Sequence, residues 1–330
     1  MKLGVSILLL CCTSMAFGQG SDLLLVGNKQ DADLSVIEVT TGRTIKRIPT
    51  GEGPHEVAVS RDGKLAVVAN YGAATPGNSL TVIDAKTLEV VRTVSLDNFT
   101  RPHGIAFMPD HRTVAVTSET SRAVVLVDVV AGTVSGSVAT GQQGSHMVSV
   151  HADGKRAYTA NIGSGTATAL DLERRQAVQT FQIGPQSEAI ALSPDARELW
   201  VGSNQAGTVS VFDVATSEQI ARLDAPGVPI RVYFSPDGKR VLVSSAQAST
   251  VRFFDAVTRK QEAAITVQGT PIGAVFSPDG ARAYVALTGA NRIAVIHLKS
   301  MTVIASHETG AGPDGIAYLA LHSESRDRKP

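Results

Sequence analysis

Short runs of aliphatic and β-branched residues recur along the whole chain, separated by clusters of Gly, Pro, Asp, Asn and Ser. The runs themselves repeat. LSVIEV starts at Leu34, LTVIDA at Leu80, VVLVDV at Val124, ATALDL at Ala167, VSVFDV at Val209, VRFFDA at Val251 and IAVIHL at Ile293. Successive starts lie 46, 44, 43, 42, 42 and 42 residues apart. Units of this period cannot bury their apolar faces alone and must stack or close into a ring.

Each unit holds four runs; in the fifth they are VSVFDV, QIARLDA, IRVYFSPDG and RVLVSSA. Runs this short, alternating and punctuated predict strands and not helices. A hairpin between the third and fourth runs reads SRDG at Ser60, HADG at His151, SPDA at Ser193, and SPDG at Ser235 and Ser277. Pro presets the first turn angle, Asp bonds back to the backbone, and Gly accepts the left-handed position. Asp62, Asp153, Asp195, Asp237 and Asp279 are thereby assigned to turn chemistry. Asp84, Asp128, Asp171, Asp213 and Asp255, each ending a first run, are expected to cap the following turn.

Seven four-stranded antiparallel sheets predict an all-β, seven-bladed β-propeller, which leaves only short, protected edges. The chain ends support closure. LLLVGN at Leu23 matches a fourth run with no third run before it, and GPDGIAYLAL from Gly312 matches a third run with no fourth after it. Joined, they complete the seventh sheet from one C-terminal and three N-terminal strands.

Residues 1–18, MKLGVSILLLCCTSMAFG, read as a secretory signal peptide: Lys2, an apolar run too short to span a membrane, then Ala16 and Gly18. Cleavage is expected after Gly18, leaving a propeller over 19–322 and a polar tail over 323–330. The mature protein is expected in the periplasm or secreted, not spanning a membrane. Both cysteines, Cys11 and Cys12, fall in the signal peptide, so the mature chain has no disulfide, thiolate metal site or cysteine nucleophile. With 30 basic and 30 acidic residues dispersed along the chain and no basic stripe or aromatic platform, nucleic acid is disfavoured as a partner. A closed ring of this size needs no second copy to fold.

GEGPHEVAVSRDGKLAVVAN at Gly51, RPHGIAFMPD at Arg101 and SPDGARAYVAL at Ser277 resemble the repeats of YVTN-type β-propellers, related to haem-d1-type and lactonase-like propellers. The resemblance runs from about Leu23 to Leu321. It implies the propeller fold; its activities range over binding proteins, lactonase-like enzymes and haem-carrying domains, and fold does not choose among them.

A site is expected where the repeats differ. Alignment on the hairpin puts His55, His103, His146, Glu188, Ile230, Ile272 and Asp314 at one position, the start of each innermost strand. The fourth runs end on the same face with Asn28, Asn70, Ser118, Asn161, Ser203, Ser245 and Leu287. Imidazoles and carboxylates from neighbouring blades suit a divalent transition metal, with His55, His103, His146, Glu188 and Asp314 as candidate ligands. Asn28, Asn70, Asn161 and Arg231 are candidate ligand-binding groups, Arg231 through its planar fork. Against this stands a structural alternative, since His or Asp in P-H-G and P-D-G can simply bond neighbouring backbone. The insertion at Tyr71–Ser79 and the lengthened connection from Ser95 are candidate rim or lid segments.

The favoured function is an exported propeller binding a small polar ligand or a metal ion at this axial mouth. A metal-dependent hydrolase or lyase of lactonase type is the first alternative, with Glu56 as general base. A haem-associated protein with one histidine as axial ligand, and a protein-binding platform, are the others.

Overall fold

The computed structural model describes residues 21–321, which form 28 strands in seven four-stranded antiparallel sheets and no helix. The expected signal peptide, with Cys11 and Cys12, and the polar tail lie outside the described residues, as does His322. Among the described residues no helix is long and apolar enough to cross a membrane.

Blade 1 is the closing blade. Its inner strand, Pro313–Leu319, pairs antiparallel with Leu23–Asn28, which is followed outward by Asp33–Glu38 and Thr44–Pro49. Asp22 pins the join, accepting bonds from Tyr318 Oη at 2.6 Å and the Leu321 amide at 2.9 Å. Blades 2 to 7 then occupy 54–95, 102–139, 145–182, 187–224, 229–266 and 271–308 in order.

The core is divided into seven apolar clusters, each between neighbouring blades. One joins Leu25, Leu34, Val36 and Leu319 of blade 1 to Ala66, Val68 and Ile83 of blade 2. Another, made of Leu24, Val26, Ile37 and Ile316 with Tyr284, Ile293 and Val295, seals blade 1 to blade 7. Middle strands are therefore covered on both faces, and Leu23–Asn28 is buried along its whole length. This is why LLLVGN reads as a nearly continuous apolar run, while the outermost strand Thr44–Pro49 is mostly exposed.

The hairpins form as their sequences require. Ser60 Oγ donates to Asp62 Oδ1 at 2.7 Å, the Lys64 amide donates to the same oxygen at 3.2 Å, and Gly63 takes φ 68°. The capping aspartates behave likewise: Asp84 Oδ1 accepts the amides of Lys86 and Thr87 at 3.0 and 2.8 Å.

One local feature positions the site. Every inner strand begins with a β-bulge. Pro54 pairs with Asn70 and Val57 with Val68, so three steps on the inner strand match two on its neighbour, and all seven blades carry such an extra residue. The bulged positions are His55–Glu56, His103–Gly104, His146–Met147, Glu188–Ala189, Ile272–Gly273 and Asp314–Gly315, and in blade 6 Ile230, with Arg231 paired to Ser244. A bulge breaks the strict two-residue alternation and re-aims side chains. Close approach of neighbouring inner strands needs glycine here: a Cβ at Gly104 would lie 2.7 Å from the His146 carbonyl oxygen.

Candidate functional site

The bulges deliver His55, His103, His146, Glu188 and Asp314, all buried, to one end of the central channel. The imidazoles from blades 2, 3 and 4 lie on one another. The His55 and His103 ring centroids are 4.4 Å apart, tilted by 39°, and those of His103 and His146 are stacked at 3.6 Å. Tyr71 closes the outer side, edge-on to His55 at 4.5 Å.

Carboxylates hold the two end histidines. His55 Nδ1–H donates to Asp314 Oδ2 at 2.7 Å, and His146 Nε2–H donates to Glu188 Oε1 at 3.2 Å. Lys29 Nζ reaches the same Asp314 oxygen at 3.1 Å, and Glu119 stands 3.7 Å from His146 Nδ1, too far for a hydrogen bond. The central ring, His103, is 2% exposed and its Nδ1 has no partner among the described residues.

Arg231 ties the opposite side of the ring to this cluster. From blade 6 it crosses the channel, and its Nε and Nη2 donate to Glu56 Oε1 of blade 2 at 3.1 and 2.8 Å. Its Nη1 donates to Glu188 Oε1 at 2.7 Å and to the Ile230 carbonyl at 2.8 Å.

These partners set the protonation states. Burial pushes the His103 imidazole well below its ordinary value, and the neighbouring His146 and His55 push the same way. Burial also lowers His55, more than Asp314 raises it. Burial opposes a proton on His146 too, but Glu119 and Glu188 outweigh it and raise this imidazole. Burial works against the Glu188 charge, yet His146 and Arg231 hold its carboxyl down at about 2. Asp314 is likewise held well below the usual carboxylate range, against burial, by His55, Lys29 and Arg231.

A pH dependence follows. Unfolded His55 and His103 take protons near pH 6.5, which the folded site resists. Their contribution to stability is present above that pH and is lost as pH falls below it. The raised His146 acts oppositely, stabilising at lower pH and losing its contribution as pH rises through its folded value. Two groups against one make a drop in the melting temperature of chelator-treated protein the expected result between about pH 6.5 and 5. A flat profile there would contradict neutral, buried His55 and His103.

Several expected ligand groups take other tasks. Asn28, Asn70 and Asn161 do not face the channel as free amides; each is a buried clasp between strands. Asn28 Nδ2 donates to Asp33 Oδ1 and Ser35 Oγ at 2.7 and 2.9 Å. Asn70 Nδ2 donates to Ser79 Oγ and Thr81 Oγ1 at 3.0 Å, and Asn161 Nδ2 to Thr166 and Thr168 hydroxyls at 3.1 and 2.9 Å. The fork of Arg231 is occupied by Glu56 and Glu188 and ties the two sides of the channel together. Glu56 is bound to that guanidinium, its Oε1 2.8 Å from Arg231 Nη2.

Cofactor fits differ. Haem needs an imidazole nitrogen projecting into a flat apolar slot; these rings are buried, stacked and surrounded by charge, and do not fit it. As folded, no three His, Asp or Glu side chains among the described residues are set as a metal's ligand group. Stacked imidazoles hold their in-plane lone pairs side by side instead of converging.

The rim brings in residues that were not singled out. Tyr71 Oη donates to Glu119 Oε2 at 2.6 Å, and the Arg101 guanidinium lies 4.7 Å over the Tyr71 ring. Asn204 Nδ2 donates to Glu188 Oε2 at 2.5 Å. The insertion after Tyr71 and the connection after Ser95 form a pinned rim: the Arg101 amide donates to Gly77 O at 2.8 Å, and Asn78 Nδ2 to Asp97 O at 3.0 Å. Lys29, Tyr71, Glu119 and Asn204 share a register, one residue after Asn28, Asn70, Ser118 and Ser203; Tyr71 still lies within its strand, Leu65–Gly72. Comparing repeats one position further along exposes them. Beside the mouth, between blades 4 and 5, Ile162, Ser164, Gln182, Pro185 and Gln186 line an open groove of about 810 Å³.

Known proteins share this architecture. The chain is similar to hydrazine synthase of Kuenenia stuttgartiensis, with a TM-score of 0.73 and 20% identity over 80% of this chain and 88% of that one. It is also similar to a functionally unknown protein from Desulfotomaculum acetoxidans DSM 771, with a TM-score of 0.77 and 13% identity over 91% of this chain and 99% of that one. Identities this low speak to the fold alone. No curated protein sequence matches the chain. The family model for YNCE-like beta-propellers matches residues 5–319, nearly the whole propeller, and the chain belongs to that family.

Proposed function

We propose that this is an exported propeller, periplasmic or secreted, that binds a small polar ligand at the axial mouth without turning it over. The observation that carries this reading is His103. It is buried between two other imidazoles, held neutral, and has no hydrogen-bond partner on Nδ1 among the described residues, whereas His55 and His146 are each paired. An unpartnered buried polar atom costs about 1–3 kcal/mol, a cost that a ligand contact would offset. Asn204 supports the same reading: Glu188 fixes its amide nitrogen inward, and its buried Oδ1, which can only accept, is left unpartnered. Glu56, the candidate base, is paired with Arg231, which supports binding over turnover.

Replacing His103 by phenylalanine keeps a ring in the stack and removes the unpartnered nitrogen. The variant is expected to be more stable than the parent by about 1 kcal/mol or more. Denaturant unfolding of both proteins measures this. Destabilisation by a similar amount would make His103 a structural residue and remove the basis for a ligand site.

A further inference from the structure

We propose that the ligand of this mouth is a small zwitterion, its carboxylate on the Arg101 guanidinium and its ammonium on Glu119, an α-amino acid being the simplest case. This deepens the reading of the mouth as a ligand site and rests on it.

Most charges at the mouth already have a close counter-charge. Asp314 is paired with His55 and Lys29, Glu188 with His146 and Arg231, and Glu56 with Arg231. Arg101 differs. Its guanidinium lies 4.7 Å over the Tyr71 ring and has no ion pair or hydrogen bond among the described residues. Contact with an aromatic face uses none of its N–H donors, and their fork matches a planar carboxylate.

Glu119 stands at the hydroxyl end of the same tyrosine. Its Oε2 accepts the Tyr71 Oη bond at 2.6 Å, and its Oε1 has no hydrogen bond among the described residues. The side chain is 24% exposed, and its nearest cation, His146, is 3.7 Å away and shared with Glu188. Burial opposes the Glu119 charge, but His146 and Tyr71 hold its carboxyl below the ordinary value. Arg101 and Glu119 form no ion pair with each other, so Tyr71 keeps a cation and an anion apart on one rim. A simple anion would meet Arg101 but be repelled by Glu119, and a simple cation would meet the reverse. A ligand carrying both charges satisfies both groups.

The backbone also marks Arg101. The residue before the inner strand takes a left-handed conformation in six of the seven blades, and three of these residues are Gly53, Gly144 and Gly312. Arg101 holds the same conformation at φ 56°, where a Cβ is disfavoured.

The test is calorimetric titration of the intact protein with glycine, L-leucine and L-glutamine, and with acetate and ethylamine as probes of one charge each. Expected is one equivalent bound for at least one amino acid, with acetate and ethylamine weaker by about 10-fold or more. Arg101→Gly suits the left-handed backbone and should keep the melting temperature. Its amino-acid affinity should fall about 10- to 100-fold, the loss of a charge-assisted contact. Glu119→Gln should weaken the amino acid similarly without weakening acetate, and His297→Ala, whose ring bonds Ser300, should change neither. Unchanged amino-acid binding in Arg101→Gly, or acetate bound as tightly as the amino acids, would overturn the inference. No binding of any of the three amino acids, together with a stabilised His103→Phe, would overturn the zwitterion while leaving the mouth as a ligand site. No binding with a destabilised His103→Phe would overturn both.

Discussion

Arg231→Met is expected to destabilise the protein by about 3–5 kcal/mol, the cost of removing one partner from a buried ion pair. Arg231 is 2% exposed and gives three hydrogen bonds to Glu56 and Glu188. Without it Glu56 is left inside the channel with no other salt-bridge partner among the described residues, and Glu188 keeps only His146. The methionine can fill much of the lost volume, so the loss reports charge and not packing. Glu56→Leu in the same chain should recover part of the loss, because it removes a carboxylate left without its partner. Denaturant unfolding of the two single variants and the double variant gives the coupling. Strict additivity would mean that the tie across the channel does not form in solution. A second consequence concerns the mouth: the Arg231 guanidinium opposes a proton on His146, so removing it should raise His146 further.

Ending the chain at Gly312 is expected to abolish cooperative folding, whereas ending it at Leu321 should leave the melting temperature unchanged. The shorter chain loses Pro313–Leu319, the inner strand of blade 1, and with it the whole pairing to Leu23–Asn28. Ile316, Ala317 and Leu319 contribute to two of the seven interblade clusters, so the cut opens both sides of one blade. Net stabilities of domains are only about 5–15 kcal/mol, and exposing two clusters exceeds that range. It also removes Asp314, taking the partner of His55 from the mouth. Circular dichroism and hydrogen exchange on the two truncations test this. A cooperative transition in the chain ending at Gly312 would show that ring closure is dispensable.

The fold was legible because its determinants are local and repeated. The Ser-x-Asp-Gly hairpins, the capping aspartates and the 42-residue spacing each follow from neighbouring residues, and their structural roles match. The convergence of the candidate site's histidines was legible for a related reason. His55, His103 and His146 are far apart in sequence but identical in register, and a ring converts equal register into adjacency. Lys29, Tyr71, Glu119 and Asn204 obeyed the same rule one position after Asn28, Asn70, Ser118 and Ser203, where a comparison of repeats reaches them.

Other features had no local signature. The β-bulge at the start of each inner strand depends on how the second strand pairs. Arg231 and Glu56 are separated by 175 residues and lie in blades that are not neighbours, so only closure of the ring brings a side chain from one across to the other. Asn28, Asn70 and Asn161 had the residue type and position of ligands. Their amides turn instead toward hydroxyls on the next strand, because a buried amide needs partners and Ser35, Thr81 and Thr168 are in reach.

The sequence by itself determined a seven-bladed propeller, the strand that closes it, and which blades carry the unusual residues, since all of these depend on short-range pattern and periodicity. Only the tertiary structure decided which charges meet across the axis, which amides are clasps, and that one imidazole in the stack is left without a partner. Those outcomes depend on burial and on distances through space, which are set once the ring has closed.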